Sequence, residues 1–209
     1  MIRGVNTMKD TNILVFGDSI VYGLYDKSMQ GWVNRLKNYY DNNYQHVHIY
    51  NLGIPAETTQ DLLIRIENEI KCRLATNTVI LIAIGINDSQ FVDNYFRTSI
   101  EAFKGNVNKL ISIAKKYSDN VVYVGLTDVD ETRVKPVSFN IHKSYDNHRI
   151  SLFNNAIINT CTSNNIPFIN LSGLLNEDDL EDGLHPNDIG HNKMFNKVKD
   201  EIDSMFIKE

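Results

Sequence analysis

Residues 78–84, TVILIAI, decide the fold class of this chain. Every position after Thr78 is apolar, and β-branched residues, which favour strands, are in the majority. A strand with one face in water alternates apolar and polar residues, whereas a strand of a parallel sheet lies between two layers of helices and reads as a continuous apolar run. The run therefore predicts a central strand of a parallel sheet that is covered on both faces.

Short β-branched runs and longer stretches of helical spacing alternate on either side of this strand. In residues 58–74, Leu62, Ile66 and Ile70 recur in steps of four, and Thr58 or Thr59 is placed to cap the helix. The predicted strands are 13–16, 47–52, 78–84, 121–126 and 167–171, and the predicted helices are 58–74, 100–117, 146–162 and 189–207. This order predicts an α/β fold with a five-stranded parallel sheet.

Length and composition limit which classes of function the chain can have. The 209 residues fit a single domain over residues 1–209, with residues 1–8 as a loose N-terminal extension. Lys and Arg total 21 against 26 acidic residues and form no basic run, which argues against a nucleic-acid partner. No apolar segment reaches the roughly 18 residues of a membrane span, and the N-terminus lacks the apolar core of a secretory signal.

Two cysteines indicate the compartment. Cys72 and Cys161 are far apart in the sequence, and both lie in apolar, helix-like contexts. We expect two buried free thiols, as in a protein of the reducing cytoplasm.

Small, polar and ionisable residues collect after the predicted strands. Parallel strands bring their carboxyl ends to one edge of the sheet, which is where α/β proteins bind ligands. These residues are 17–19 (GDS), 51–53 (NLG), 85–88 (GIND), 127–128 (TD) and, after a further loop, 182–186 (DGLHP). Turns also favour Gly, Asn and Asp, but five such clusters at one edge predict a functional site there.

Ser19 is the candidate nucleophile. A serine hydroxyl becomes reactive when an oriented base takes its proton, and a strand-to-helix turn presents the hydroxyl outward. The G-x-S-x-G motif is absent, so the tripeptide alone fits an ordinary turn better.

Asp182 and His185 are the candidate acid and base. Within one tight turn, the carboxylate can reach an imidazole nitrogen, fix its tautomer and stabilise the imidazolium. The alternative is a helix-entry turn, in which Asp182 caps a turn and Pro186 or Asn187 starts the last helix.

Gly53 and Asn87 are candidate donors to an oxyanion, through a backbone N–H and a side-chain amide. Taken singly, each has a simpler explanation. Gly53 precedes Ile54-Pro55 and fits a turn, and Asn87 fits a helix cap.

Four of the five clusters, all but residues 127–128, together resemble the blocks of the GDSL/SGNH hydrolases, whose name lists Ser, Gly, Asn and His. They match as FGDSIVYG (16–23), NLGIPAETT (51–59), IGINDS (84–89) and DGLHPNDIGH (182–191), so the resemblance covers nearly the whole chain. One departure is Ile20, where many members have a leucine of similar volume. The resemblance implies a flavodoxin-like, three-layer α/β/α sandwich, in agreement with the alternation of elements.

The resemblance also implies a mechanism. His185, oriented by Asp182, would take the proton of Ser19 as the hydroxyl attacks a small ester, such as an acetyl or short acyl ester. The backbone N–H groups of Ser19 and Gly53 and the Asn87 amide would hold the oxyanion, and an acyl-serine intermediate would follow. Neither a metal nor an organic cofactor is implied.

Two other function classes stay open at this point. Asp18, Asp88, Asp182 and His185 would be the ligands of a metal-dependent phosphoesterase, although Ser19 would then have no role. A non-catalytic binding module on the same fold is the other alternative. We expect Asp18 and Asp88 instead to brace turns by accepting backbone N–H bonds.

Two segments are candidates for substrate contacts. Phe91, Tyr95 and Phe96 follow the third block and are candidate pocket walls, with core packing as the equal alternative. Residues 128–145 form a long irregular connection, which we expect to lie near the site.

Overall fold

The computed structural model describes residues 10–28, 31–93 and 95–207, so the extension predicted over residues 1–8 lies outside the described part. The strands are β1 (Thr11–Gly17), β2 (Val47–Gly53), β3 (Asn77–Ala83), β4 (Phe91–Val92), β5 (Tyr95–Phe96), β6 (Asn120–Val124), β7 (Lys143–Ser144) and β8 (Phe168–Ile169). The helices are α1 (Ser19–Tyr22), α2 (Trp32–Asn43), α3 (Thr59–Lys71), α4 (Ile100–Lys115), α5 (Glu131–Val134), α6 (Asn147–Asn164) and α7 (Asp188–Phe206), and a 3-10 turn spans Glu177–Asp179.

Five parallel strands form the main sheet in the order β2-β1-β3-β6-β8. This is the strand order of flavodoxin-like folds, and it confirms the predicted α/β class and the five-stranded parallel sheet. On one face α2 packs against α7, and on the other α3, α4 and α6 pack side by side. The arrangement is therefore a three-layer α/β/α sandwich.

The central strand has the surroundings that its sequence predicts. From Val79 to Ile82 no side chain of β3 is exposed to solvent. The α3 helix begins as predicted, because Thr58 forms a capping box with Asp61. Its apolar face, represented by Ile66 and Ile70, is fully buried against the sheet.

The cysteine prediction is confirmed in part. Cys72 and Cys161 are both free, and Cys161 is buried in α6. The expectation that Cys72 is buried is wrong. Cys72 is the C-cap of α3, where the helix ends and its apolar face no longer determines which residues are covered.

A second, small sheet lies outside the predicted elements. Its strands are antiparallel in the order β5-β4-β7, and Phe91 pairs with both Phe96 and Ser144. This sheet joins two short strands that follow the third block, β4 and β5, to the end of the irregular segment 128–145.

Within residues 10–28, 31–93 and 95–207, no helix combines the length and the apolar character that crossing a membrane requires.

Candidate active site

A chain of hydrogen bonds joins Ser19, His185 and Asp182 at the carboxyl edge of the main sheet. The Oγ of Ser19 lies 2.9 Å from Nε2 of His185, and Nδ1 of His185 lies 2.8 Å from Oδ2 of Asp182. Because a carboxylate only accepts, Nδ1 carries the ring proton, and Nε2 is left to accept from the serine hydroxyl. This is the geometry of a Ser-His-Asp triad.

The turn at residues 182–185 holds the acid in place. The Oδ1 of Asp182 accepts backbone N–H bonds from Leu184 (3.0 Å) and His185 (2.8 Å), which leaves Oδ2 for the imidazole. Burial would raise the pKa of Asp182, but the bonds from His185 outweigh it and lower the pKa below its usual range. Asp182 therefore caps a turn and Asn187 caps the start of α7, as the helix-entry alternative describes, and Asp182 also bonds the imidazole.

The position of Ser19 follows from tight packing at the end of β1. A Cβ on Gly17 would lie 2.3 Å from both the Ala83 carbonyl oxygen and the Val21 side chain, so only glycine fits. Asp18 then caps α1 by accepting the Ile20 N–H at 3.0 Å. Ser19 is the first residue of that helix, and a first-turn N–H has no partner inside its own helix.

The prediction that Asp18 and Asp88 accept backbone N–H bonds is confirmed, although the bond that Asp88 accepts comes from the first residue of α3 and not from a turn. Asp18 accepts the Ile20 N–H, and Asp88 accepts the N–H and the hydroxyl of Thr59 at 2.9 and 2.6 Å. In the described part of the chain, no group of three or more His, Cys, Asp or Glu residues has the arrangement needed to hold a metal ion.

The Asn87 side chain is buried and has a defined orientation. Its Nδ2 donates to the Glu57 carbonyl oxygen at 3.0 Å, and its Oδ1 accepts from the Tyr145 hydroxyl at 3.1 Å. A primary amide has two N–H bonds, so one is left for a ligand. Asn87 lies in a turn after β3, and α4, the next helix along the chain, is capped by Ser99.

Gly53 ends β2, directly against α1. A Cβ there would lie 2.3 Å from the Tyr22 nitrogen, so packing alone requires a glycine. The Gly53 N–H donates to Oδ1 of Asn51 at 3.1 Å, a hydrogen bond that the sequence does not predict. Its role as an oxyanion donor stays a prediction.

A cleft of about 450 Å³ opens beside α1. Its lining residues are Tyr22, Gly23, Leu24, Tyr25, Asn34, Asn51 and Gly53. The Tyr25 ring meets the His185 ring edge-on, with 5.4 Å between centroids, and this places the cleft next to the triad. Tyr25 has a φ of +68°, a left-handed backbone conformation that residues other than glycine rarely adopt. No sequence pattern indicates this conformation for a tyrosine, so the sequence does not predict that Tyr25 lies beside His185.

The predicted wall residues lie on the small sheet. The rings of Phe91 and Phe96 pack 5.1 Å apart, and the Arg149 guanidinium carbon lies 3.6 Å from the centre of the Phe96 ring. Tyr95 is mostly exposed. Their role as pocket walls remains a prediction.

Asp18 makes the stability of the fold sensitive to pH. Burial raises its pKa to about 7, against the opposing bond from Ile20 and the nearby His185, and with the acids Asp88 and Glu57 adding to the rise. An unfolded aspartate has a pKa near 3.9, so between about pH 4 and 7 the folded chain holds a proton that the unfolded chain releases. The free energy of unfolding should therefore fall as the pH rises through this window, by about 4 kcal/mol at most.

The matched variant is Asp18→Asn, which keeps an oxygen for the Ile20 N–H and cannot ionise. We expect the melting temperature of the wild-type protein to fall relative to that of Asp18→Asn between pH 4.5 and 7, as measured by calorimetry. Parallel curves for the two proteins would show that Asp18 does not titrate in this range.

Comparisons with known proteins identify the family of the chain and support its fold. The model of the GDSL-like lipase/acylhydrolase family matches residues 15–193. Similar solved structures include a lipase/acylhydrolase from Enterococcus faecalis, with 23% identity, 94% of this chain and 96% of that chain covered, and a TM-score of 0.75. A member of the lipolytic G-D-S-L family from Veillonella parvula has 20% identity, coverages of 95% and 100%, and a TM-score of 0.70.

An acetylxylan esterase from Geobacillus stearothermophilus is also similar, with 17% identity, coverages of 93% and 96%, and a TM-score of 0.72. At these identities the structures show a shared fold. A search of curated proteins gave no match. Because the family model extends from the first strand of the main sheet into the last helix, the chain belongs to the GDSL-like lipase/acylhydrolase family.

Proposed function

We propose that the protein is a serine esterase that cleaves small carboxylic esters, with an acetyl or short acyl group, through an acyl-serine intermediate. The observation that carries this proposal is the continuous hydrogen-bond chain from Ser19 through His185 to Asp182, at 2.9 and 2.8 Å. Membership of an acylhydrolase family supports the same reaction type.

In each half-reaction of the proposed mechanism, His185 first accepts a proton and then donates it. As Ser19 Oγ attacks the ester carbonyl carbon, its proton passes to His185 Nε2, and Asp182 stabilises the imidazolium through Nδ1–H. The C–O bond to the alcohol then breaks, and His185 protonates the departing oxygen. Water then attacks the acyl carbon while His185 takes one of its protons. The bond from that carbon to Ser19 Oγ breaks, His185 returns the proton to Oγ, and the carboxylic acid is released.

The developing oxyanion needs preorganised donors. We assign the Ser19 backbone N–H and the free N–H of the Asn87 amide to this role. Gly53 is the third proposed donor, and its N–H would have to be shared with Asn51 Oδ1, which already accepts it. No step requires a metal or an organic cofactor.

The cleft beside Tyr25 supports a small-molecule substrate. A volume of about 450 Å³ is in the range of small-ligand pockets, and tyrosine rings with asparagine amides offer both stacking and hydrogen bonds.

The similar acetylxylan esterase has variants described as catalytic mutants, in which alanine replaces a serine, an aspartate and a histidine. Its aspartate and histidine are three positions apart, as Asp182 and His185 are here.

An ester panel tests the proposed function. We expect purified protein to hydrolyse p-nitrophenyl acetate and butyrate with a higher kcat/KM than long-chain esters, and a chelator to leave the rates unchanged. Hydrolysis of bis-p-nitrophenyl phosphate that the chelator stops would instead indicate a metal-dependent phosphoesterase. A well-folded protein without activity on any ester would indicate a binding module.

Asn87→Ala tests the oxyanion assignment. Loss of one oxyanion donor typically lowers kcat by about 10²–10³-fold, and we expect that loss here with little change in KM. The control is Asn106→Ala, which removes another buried amide, one that bonds the Thr59 hydroxyl at 3.1 Å, and which should leave kcat near the wild-type value. Wild-type turnover in Asn87→Ala would remove this residue from the mechanism.

A further inference from the structure

The orientation of the Asn87 amide is a separate requirement of the site. Oxygen and nitrogen of a primary amide have nearly the same shape, and only one of the two orientations presents an N–H to an oxyanion. The flipped amide would present its oxygen and repel the developing charge. Something in the protein must therefore select one orientation.

Donors and acceptors around Asn87 form a chain with a single direction. Arg97 can only donate, and its Nη1 lies 3.5 Å from Gln90 Oε1. Gln90 Nε2 donates to the Tyr145 hydroxyl at 2.6 Å, and that hydroxyl donates to Asn87 Oδ1 at 3.1 Å. The Glu57 carbonyl oxygen, which can only accept, ends the chain by receiving the Nδ2–H of Asn87 at 3.0 Å.

Burial makes this direction decisive. Gln90 and Tyr145 are each 2% exposed and Asn87 is 5% exposed, so solvent cannot readily replace a lost partner. Burial also raises the pKa of Tyr145 far above neutral pH, so its hydroxyl keeps the proton that it donates to Asn87. A flipped Asn87 would set its N–H bonds against the Tyr145 proton and its oxygen against the Glu57 oxygen.

The small sheet holds this chain together. Gln90 directly precedes β4, Arg97 directly follows β5, and Tyr145 directly follows β7. The backbone N–H of Arg97 also donates to the Gln90 carbonyl at 2.9 Å. The Arg97 guanidinium donates through Nη2 to the carbonyl of Ala56 at 2.8 Å, and Ala56 has an unusual φ of +67° for a residue with a side chain. The small sheet therefore supports the loop at Ala56, which directly precedes Glu57.

We propose that Tyr145, supported by Gln90 and Arg97, is a positioning residue that holds the Asn87 amide in the orientation that donates to the oxyanion. The inference rests on the proposed esterase function, since it assumes that Asn87 stabilises an oxyanion. It assigns a role to the small sheet and to the end of the irregular segment 128–145.

Tyr145→Phe tests this role, because it removes only the hydroxyl. We expect kcat to fall about 10-fold with KM unchanged, less than for Asn87→Ala, because the amide is retained but no longer held. The matched control is Tyr123→Phe. It removes another fully buried tyrosine hydroxyl, which donates to the Ile84 carbonyl oxygen at 2.8 Å, and it should leave kcat near the wild-type value.

The double variant separates positioning from general packing. In an Asn87→Ala background, Tyr145→Phe should cause no further loss of kcat, since the amide that it orients is gone. A 10-fold loss that persists in that background, or an equal loss in Tyr123→Phe, would refute the role of Tyr145 alone. Wild-type turnover of Asn87→Ala itself would refute the oxyanion assignment on which the proposal rests.

Discussion

Ser19→Ala is expected to lower kcat for ester hydrolysis by about 10⁶-fold, because no other group replaces the attacking Oγ. The buried side chain loses only a hydroxyl, and the cap that Asp18 provides to α1 does not involve it. We therefore expect an unchanged melting temperature and retained binding of a substrate analogue.

The measurement is single-turnover hydrolysis of p-nitrophenyl acetate. Ser112→Ala serves as a control, because its hydroxyl bonds only within α4, to the Asn108 carbonyl oxygen, and the change should leave the rate at the wild-type value. Loss of only a few-fold in Ser19→Ala would mean that Ser19 is not the nucleophile.

Asp182→Asn is expected to lower kcat by about 10⁴-fold. Two backbone N–H groups, those of Leu184 and His185, donate to Oδ1, so the amide of the variant must turn its oxygen toward them. Its NH₂ group would then face His185 Nδ1 and force the proton onto Nε2. In that tautomer the imidazole cannot accept the Ser19 proton.

A pH–rate profile and a control distinguish this tautomer effect from damage to the fold. We expect the loss in Asp182→Asn at every pH between 6 and 9. Asp128→Asn alters another carboxylate that accepts a backbone N–H, that of Gly173 at 2.6 Å, and should keep its activity. An Asp182→Asn variant with more than a tenth of wild-type kcat would show that the acid does not orient His185.

The main sheet and the triad could be predicted because their signals are local or recur along the chain. Continuous apolar runs identify buried parallel strands whatever their partners, and the direction of parallel strands brings their ends together. Ser19 closely follows β1, whereas Asp182 and His185 follow the last strand of the sheet only after a loop. The family resemblance predicts their pairing with Ser19, although 166 positions separate Ser19 from His185.

The remaining features depend on contacts that no local pattern encodes. The strands of the small sheet are two residues long, too short to show a periodicity, and Phe91 pairs with a residue of the distant β7. The Tyr145 hydroxyl reaches Asn87 from an irregular segment. Whether the Gly53 N–H is free depends on the rotamer of Asn51, which sequence does not determine.

Covalent labelling of the nucleophile tests the central claim most directly. A fluorophosphonate reacts with a serine that an adjacent histidine activates, and peptide mass spectrometry locates the adduct. The triad predicts one adduct per chain, on Ser19, with activity lost in proportion to labelling and with no labelling of His185→Gln. An active preparation that acquires no adduct, or one inactivated by an adduct on another residue, would contradict the assignment of Ser19 as the nucleophile.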